Sequence, residues 1–283
     1  MKKVFLLIAL IFLTTGCSLT KDNLENANIY TTVYPIEYLV KTLYGDYSTI
    51  NSIYPTGVDT DEYKLTKKQI KEYSDSDIFV YNGLSDEKKI TKDFINKNKN
   101  LLIIDVSYGL SYKDRVEELW LSPNNYLMLA KNLKDDLNEY VNNPKIIDDV
   151  NSKYYDFSES LSLMDADLRS IGKEAQKKGT NTIVVSDDAF NYLNNYNFNV
   201  ISLDEKSATE TTLTNVKSAL EKGDYKAIIT SENVSDDVKK MIDDKNISTI
   251  KISTMKNADI NDYDYIEVMQ RFIGDIRNLV LAD

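Results

Sequence analysis

Histidine is absent from this chain of 283 residues. That removes the side chain most used for proton transfer near neutral pH and the imidazole most used as a metal ligand. Cysteine occurs once, as Cys17, so the chain can form neither an internal disulfide framework nor a thiolate metal cage. Basic residues are also in deficit, 34 Lys and Arg against 45 Asp and Glu, for a formal charge of −11. With no basic patch to neutralise phosphates, nucleic acid is not an expected partner. The chain lacks a G-x-S-x-G elbow, a G-x-G-x-x-G loop and a Walker loop, and its adjacent acids Asp187 and Asp188 diverge. Only paired carboxylates remain for acid–base work and nothing fixes their separation, so the chain does not read as an enzyme.

What is present begins at the N-terminus. Lys2 and Lys3 precede an apolar run from Val4 to Leu13, and Thr14, Thr15 and Gly16 lead into Cys17. A run of about ten apolar residues is too short to span a bilayer as a helix. The pattern predicts a bacterial secretory signal, residues 1–17, ending in a lipoprotein box with Cys17 as the lipidation site; a retained membrane anchor with a buried cysteine is the alternative. Lipidation would hold the protein at the outer face of the cell membrane at about 0.8 kcal/mol per buried methylene, with residues 18–28 as a polar tether. Removal of Lys2 and Lys3 takes the charge from −11 to −13.

Past the tether, short β-rich runs alternate with helical patterns. Ile29 to Val33, Ile50 to Tyr54, Ile78 to Tyr81 and Leu101 to Val106 read as strands, with helices at Ile36 to Tyr44 and Thr66 to Tyr73. After Pro144, residues Val150, Tyr154, Phe157, Leu161, Met164, Leu168, Ile171 and Ala175 recur every three or four positions, one apolar stripe on one helix of roughly 45 Å. It could join two lobes, or pair as a coiled coil. Alternation then resumes, with strands at Thr182 to Val185, Val200 to Leu203, Ala227 to Thr230 and Thr249 to Ile252, and helices at Thr212 to Glu221, Asp236 to Asp244 and Tyr265 to Leu281. The expected fold class is α/β, two lobes each with a mainly parallel sheet flanked by helices. The expected divisions are an N-terminal lobe at 29–145, a linking helix at 146–179 and a C-terminal lobe at 180–283.

In open α/β sheets, ligands bind in the crevice beyond the carboxyl ends of the strands. Four residues qualify. Asp61 follows the second strand through Pro55-Thr56-Gly57-Val58, Asp187 and Ser253 directly follow their strands, and Glu118 precedes the helix opened by Pro123.

At these residues the chain resembles the zinc and manganese solute-binding lipoproteins of bacterial ABC transporters. The resemblance covers essentially everything after Cys17 and rests on order and spacing rather than on one string. It runs through Thr31-Thr32-Val33-Tyr34-Pro35, Pro55-Thr56-Gly57-Val58-Asp59 followed by Tyr63, Tyr81-Asn82-Gly83-Leu84 and Trp120-Leu121-Ser122-Pro123. It continues through the long helix, Ala189-Phe190-Asn191-Tyr192-Leu193 and Thr209-Glu210. Carried over residue by residue, the family's first ligand histidine falls on Asp61, the second on Glu118, the third ligand, His or Glu, on Asp187, and the fourth, an aspartate, on Ser253. Nothing between Ile90 and Glu118 resembles the His-rich loop of zinc-specific members.

Three carboxylates at these positions supply hard oxygen donors, suited to manganese, magnesium or calcium more than to zinc or copper. The resemblance thus implies a monomeric capture protein that binds a divalent metal ion, manganese favoured, as transported ligand and hands it to an ABC permease and its ATPase. Two alternatives keep the fold and lose the metal. One is a site for an organic cation or amino acid, drawing on Tyr30, Tyr34, Tyr38 and Tyr63; the other is a surface adhesin or interaction protein.

Overall fold

The structure, a computed structural model, describes residues 24–111, 117–232, 234–258 and 264–282; the signal segment and Cys17 lie outside them. The first sheet comprises β1 (Ala27–Thr31), β2 (Ser48–Ser52), β3 (Ile78–Tyr81) and β4 (Leu102–Asp105), in the order β2-β1-β3-β4. The second comprises β5 (Thr182–Val185), β6 (Asn199–Ser202), β7 (Ile228–Thr230) and β8 (Thr249–Lys251), in the order β6-β5-β7-β8. Every pairing is parallel, and the two sheets share one topology. Parallel neighbours require crossovers, which the intervening helices supply. These are α1 (Tyr34–Tyr44), α2 (Lys67–Ser74) and α3 (Lys88–Lys97) in the first lobe, and α6 (Glu210–Lys222) and α7 (Asp236–Lys245) in the second. β3, Ile-Phe-Val-Tyr, is buried on both faces, the pattern of a strand covered on both sides by other layers.

Strands β1 and β2 both begin two residues earlier than the sequence pattern predicts. Val33 is the N-cap of α1, with Pro35 in its first turn; its backbone stays extended, but its carbonyl accepts from Ile36 and Glu37 N–H at 3.0 and 3.1 Å, so it opens the helix instead of continuing the strand ladder. At its other end β1 begins inside the stretch 18–28 expected as tether. Asn26 N–H donates to the Tyr47 carbonyl at 2.7 Å and Tyr44 Oη to the Leu24 carbonyl at 2.9 Å, so residues 24–28 are part of the first lobe.

Between the sheets run α4 (Pro123–Tyr140) and α5 (Pro144–Lys178). Helix α5, 35 residues and about 50 Å long, opens on an Asn143 cap whose side chain accepts from Lys145 N–H at 3.1 Å. It closes on Gly179, whose φ of 74° is the left-handed conformation a helix C-cap favours. Its apolar stripe is buried from Val150 to Ala175, with Tyr154 partly so, against α4, α1 and α8 (Tyr265–Leu281). The stripe is therefore covered by its own chain, and the coiled-coil alternative is overturned. One hydrophobic core runs from Ile29 and Leu39 through Trp120 and Leu161 to Phe190 and Phe272, crossing both lobes.

Gly172 shows how closely α5 packs. A Cβ built there would stand 1.7 Å from the Tyr196 carbonyl oxygen. Alanine is the better helix former by about 1 kcal/mol, yet overpacking costs about 1–3 kcal/mol, and backbone cannot step aside as a side-chain tip can. Gly172→Ala is expected to destabilise the protein by about 1–2 kcal/mol net, read as a lower urea midpoint at unchanged slope. A gain in stability would show that helix and loop separate freely.

Candidate metal site at the lobe junction

The loop after β2 places Asp61 through a side-chain turn: Asp61 N–H donates to Asp59 Oδ1 at 2.9 Å, and Tyr63 N–H to the Asp59 carbonyl at 3.0 Å. The Asp61 carboxylate is largely exposed and faces the second lobe, where Lys256 Nζ lies 2.5 Å away. Glu118 precedes a single 3-10 turn, Leu119–Leu121, whose three residues are buried. That turn and the Ser122 cap of α4 fix its backbone. Its carboxyl is pushed above the usual carboxylate range, chiefly by burial; Lys256 acts the other way, and Asp187 and Glu117 add to the rise.

Asp187 leaves the end of β5 and caps the 3-10 segment Asp188–Tyr196, accepting from Ala189 N–H at 2.8 Å and from Ser231 Oγ at 2.9 Å. Burial raises its pKa, and those two donors oppose the rise. Ser253, just past β8, hydrogen-bonds Glu232 through its Oγ, while Thr254 N–H donates to Glu232 Oε2 at 3.0 Å.

The structure thus brings Asp61, Glu118 and Asp187 to one junction between the lobes: Lys256 interacts with Asp61 and Glu118, and Glu118 in turn feels the charge of Asp187. Ser253 is held to Glu232 instead. Among the described residues no three acidic side chains stand close enough together, as arranged, to hold a metal ion. The donor set is nevertheless all oxygen, the chemistry of hard divalent cations. The tyrosines proposed for an organic cation do not form a cage. Tyr30 packs on Tyr73 with ring centroids 4.4 Å apart, Tyr38 Oη donates to Asp264 at 3.2 Å, and Tyr63 Oη accepts from Gln69. Tyr34 alone of the four lines a cavity of about 240 Å³ beside Lys256, together with Thr32, Asn51, Ser52 and Asn257.

Three junction residues escape sequence reasoning. Glu117 lies 3.7 Å from Lys256; Glu232 stands two residues past the end of β7, where the strand-end rule that selects Asp187 would have found it. Lys256 carries no sequence signal. Its side chain is only 15% exposed. Burial disfavours its charge, but the hydrogen bond and charge of Asp61, with Glu118 and Glu117, hold the ammonium above the usual lysine value.

A family model described as zinc-uptake complex component A, periplasmic, matches residues 29–279. The chain belongs to the ZnuA family. Its relatives include the metal ABC transporter substrate-binding lipoprotein ScbA of Streptococcus cristatus, 28% identical over 68% of either chain. The manganese ABC transporter substrate-binding lipoprotein PsaA of Streptococcus pneumoniae is 26% identical over 66% of this chain and 65% of PsaA. The zinc-binding lipoprotein AdcA of the same species is also 26% identical, over 68% of this chain but 42% of the longer AdcA. Among solved structures, the metal-dependent lipoprotein YcdH of Bacillus subtilis superposes with a TM-score of 0.76 at 18% identity, covering 90% of this chain and all of YcdH. The zinc-bound ZnuA-like domain of AdcA gives 0.74 at 20%, over 90% of this chain and 99% of that domain. These two likenesses establish the two-lobed fold. The relatives are named as substrate-binding proteins of transporters and not as enzymes, so this ZnuA-family chain is a substrate-binding protein of the metal ABC transporter kind.

Proposed function

We propose that this protein captures a divalent metal ion at the lobe junction, with manganese or another hard cation favoured over zinc, and delivers it to an ABC permease and its ATPase. It works as a monomer tethered outside the cell membrane through a lipid on Cys17. The observation that carries the reading is that Asp61, Glu118 and Asp187, from loops of both lobes, are linked through Glu118 and Lys256 and offer a metal oxygen ligands alone. Glu118 and Asp187, raised in pKa chiefly by burial, are relieved by a divalent cation. Relatives named for manganese, zinc and iron support a metal cargo without choosing among them.

The test is a thermal-shift panel on residues 18–283 with manganese, zinc, iron, calcium and magnesium. Asp187→Ala and Asp61→Ala are expected to weaken the preferred metal at least about tenfold, since losing even an outer partner of a ligand costs about 10–100-fold. Indifference to every metal would sink the reading. A small amine is the second reading, favoured by the fact that these carboxylates already hold an ammonium. The same panel extended to polyamines and amino acids separates the two.

A further inference from the structure

The loop after β8 delivers a lysine to the position a cargo cation would take. Thr254 is fixed through both of its backbone polar groups: its N–H donates to Glu232 and its carbonyl accepts from Trp120 Nε1 at 2.7 Å. Met255 follows, fully buried with a φ of 62°, a left-handed conformation that long side chains seldom adopt. Its N–H donates to Ser253 Oγ at 2.9 Å. Strained backbone of this kind persists only where its surroundings hold it, and it clusters at functional sites. Its effect here is to turn Lys256 inward, across the junction, to Asp61 and Glu117 of the first lobe. Next to it, Thr60 Oγ1 and Asn257 Oδ1 meet at 3.1 Å, a second tie between the lobes.

We infer that the Lys256 ammonium is a tethered cation that occupies the cargo's place and must be displaced by it, so that this one residue sets the affinity and charge selectivity of the site. The inference rests on the divalent-cation reading above. A monovalent cation gains nothing over the resident ammonium, whereas a divalent ion brings twice the charge to the same carboxylates. The displaced ammonium would have the adjoining cavity, which it already lines.

The experiment titrates manganese chloride and zinc chloride by calorimetry into the full chain in detergent. Wild type is compared with Lys256→Met, Lys256→Gln, Lys256→Arg and, as a control, Lys251→Met at the exposed end of β8. Lys256→Met and Lys256→Gln are expected to bind manganese about tenfold tighter or more, because a repelling charge has left the site. Lys256→Arg and Lys251→Met stay near wild type. The glutamine variant keeps the test valid if methionine packs badly. Tight binding by wild type with no gain in either neutral variant overturns the inference and leaves the metal reading standing. Binding by none of the proteins overturns that reading and the inference with it.

Discussion

Trp120→Ala is expected to lower the unfolding free energy by about 3–5 kcal/mol, the cost of removing a fully buried indole from a packed core. Trp120 is 1% exposed and joins the lobes three ways. Its ring lies in the core that both share, its Nε1–H donates to the Thr254 carbonyl at 2.7 Å, and its own carbonyl accepts from Tyr265 Oη at 2.6 Å. Packing and hydrogen bonding can be separated. Trp120→Phe keeps most of the apolar volume and removes the N–H, leaving a buried Thr254 carbonyl without that donor, for about 1–3 kcal/mol. Both are measured by urea unfolding followed by far-ultraviolet circular dichroism, since Trp120 is the only tryptophan and its emission vanishes with it. A loss below about 1 kcal/mol for alanine would mean that the lobes cohere without it. Because Thr254 precedes the turn that aims Lys256, both variants are also expected to loosen the junction.

The second large effect is a dependence on pH. Glu87, only 7% exposed, sits at the N-cap position of α3 beside the Asn82-Gly83-Leu84 turn, its side chain turned to the Asn82 N–H rather than to the helix. Burial pushes its carboxyl from an ordinary 4.5 up to about 7, against the hydrogen bond from the Asn82 N–H at 3.4 Å. In the unfolded chain it ionises near its ordinary value, so between 4.5 and 7 the folded state holds the extra proton. The contribution of Glu87 to stability is thus complete below 4.5 and is lost as pH rises toward and past 7. Glu87→Gln, neutral and of similar shape, abolishes that loss. Its stability relative to wild type should rise by about 2.5 kcal/mol between about pH 5 and pH 8, measured by urea unfolding at the two pH values. A difference independent of pH would show that Glu87 ionises normally in the fold. The turn it supports also holds the site, because Asn82 Nδ2 donates to the Glu117 carbonyl at 3.0 Å.

The fold was largely legible because its signals are local and repetitive. Ile78–Tyr81, Thr182–Val185 and Tyr265–Leu281 fall where apolar pattern alone puts them, and the stripe on α5 needed only its period. The end of β1 is placed too late by the sequence pattern because the β-branched Val33 reads as strand while its carbonyl serves the first turn of α1. The candidate site is legible only in part. Asp61, Glu118 and Asp187 follow from strand ends and from the family pattern. Lys256 does not, because what brings it inward is a left-handed Met255 and a carbonyl bonded to a tryptophan 134 residues away in sequence. Ser253 met the strand-end rule, but its hydroxyl is taken by Glu232, a neighbour from another strand that no one-strand pattern reveals.

Helix α8 reaches back to the junction: Tyr265 hydrogen-bonds the Trp120 carbonyl, and the Phe272 ring meets Phe190 at a tilt with centroids 5.8 Å apart. During synthesis these partners are made well before α8 is. Until it emerges, the inward face of α5 stays wet and the Trp120 carbonyl lacks its tyrosine, so the two lobes cannot lock. The nascent chain therefore reaches its fully cohesive state only once its last helix is made.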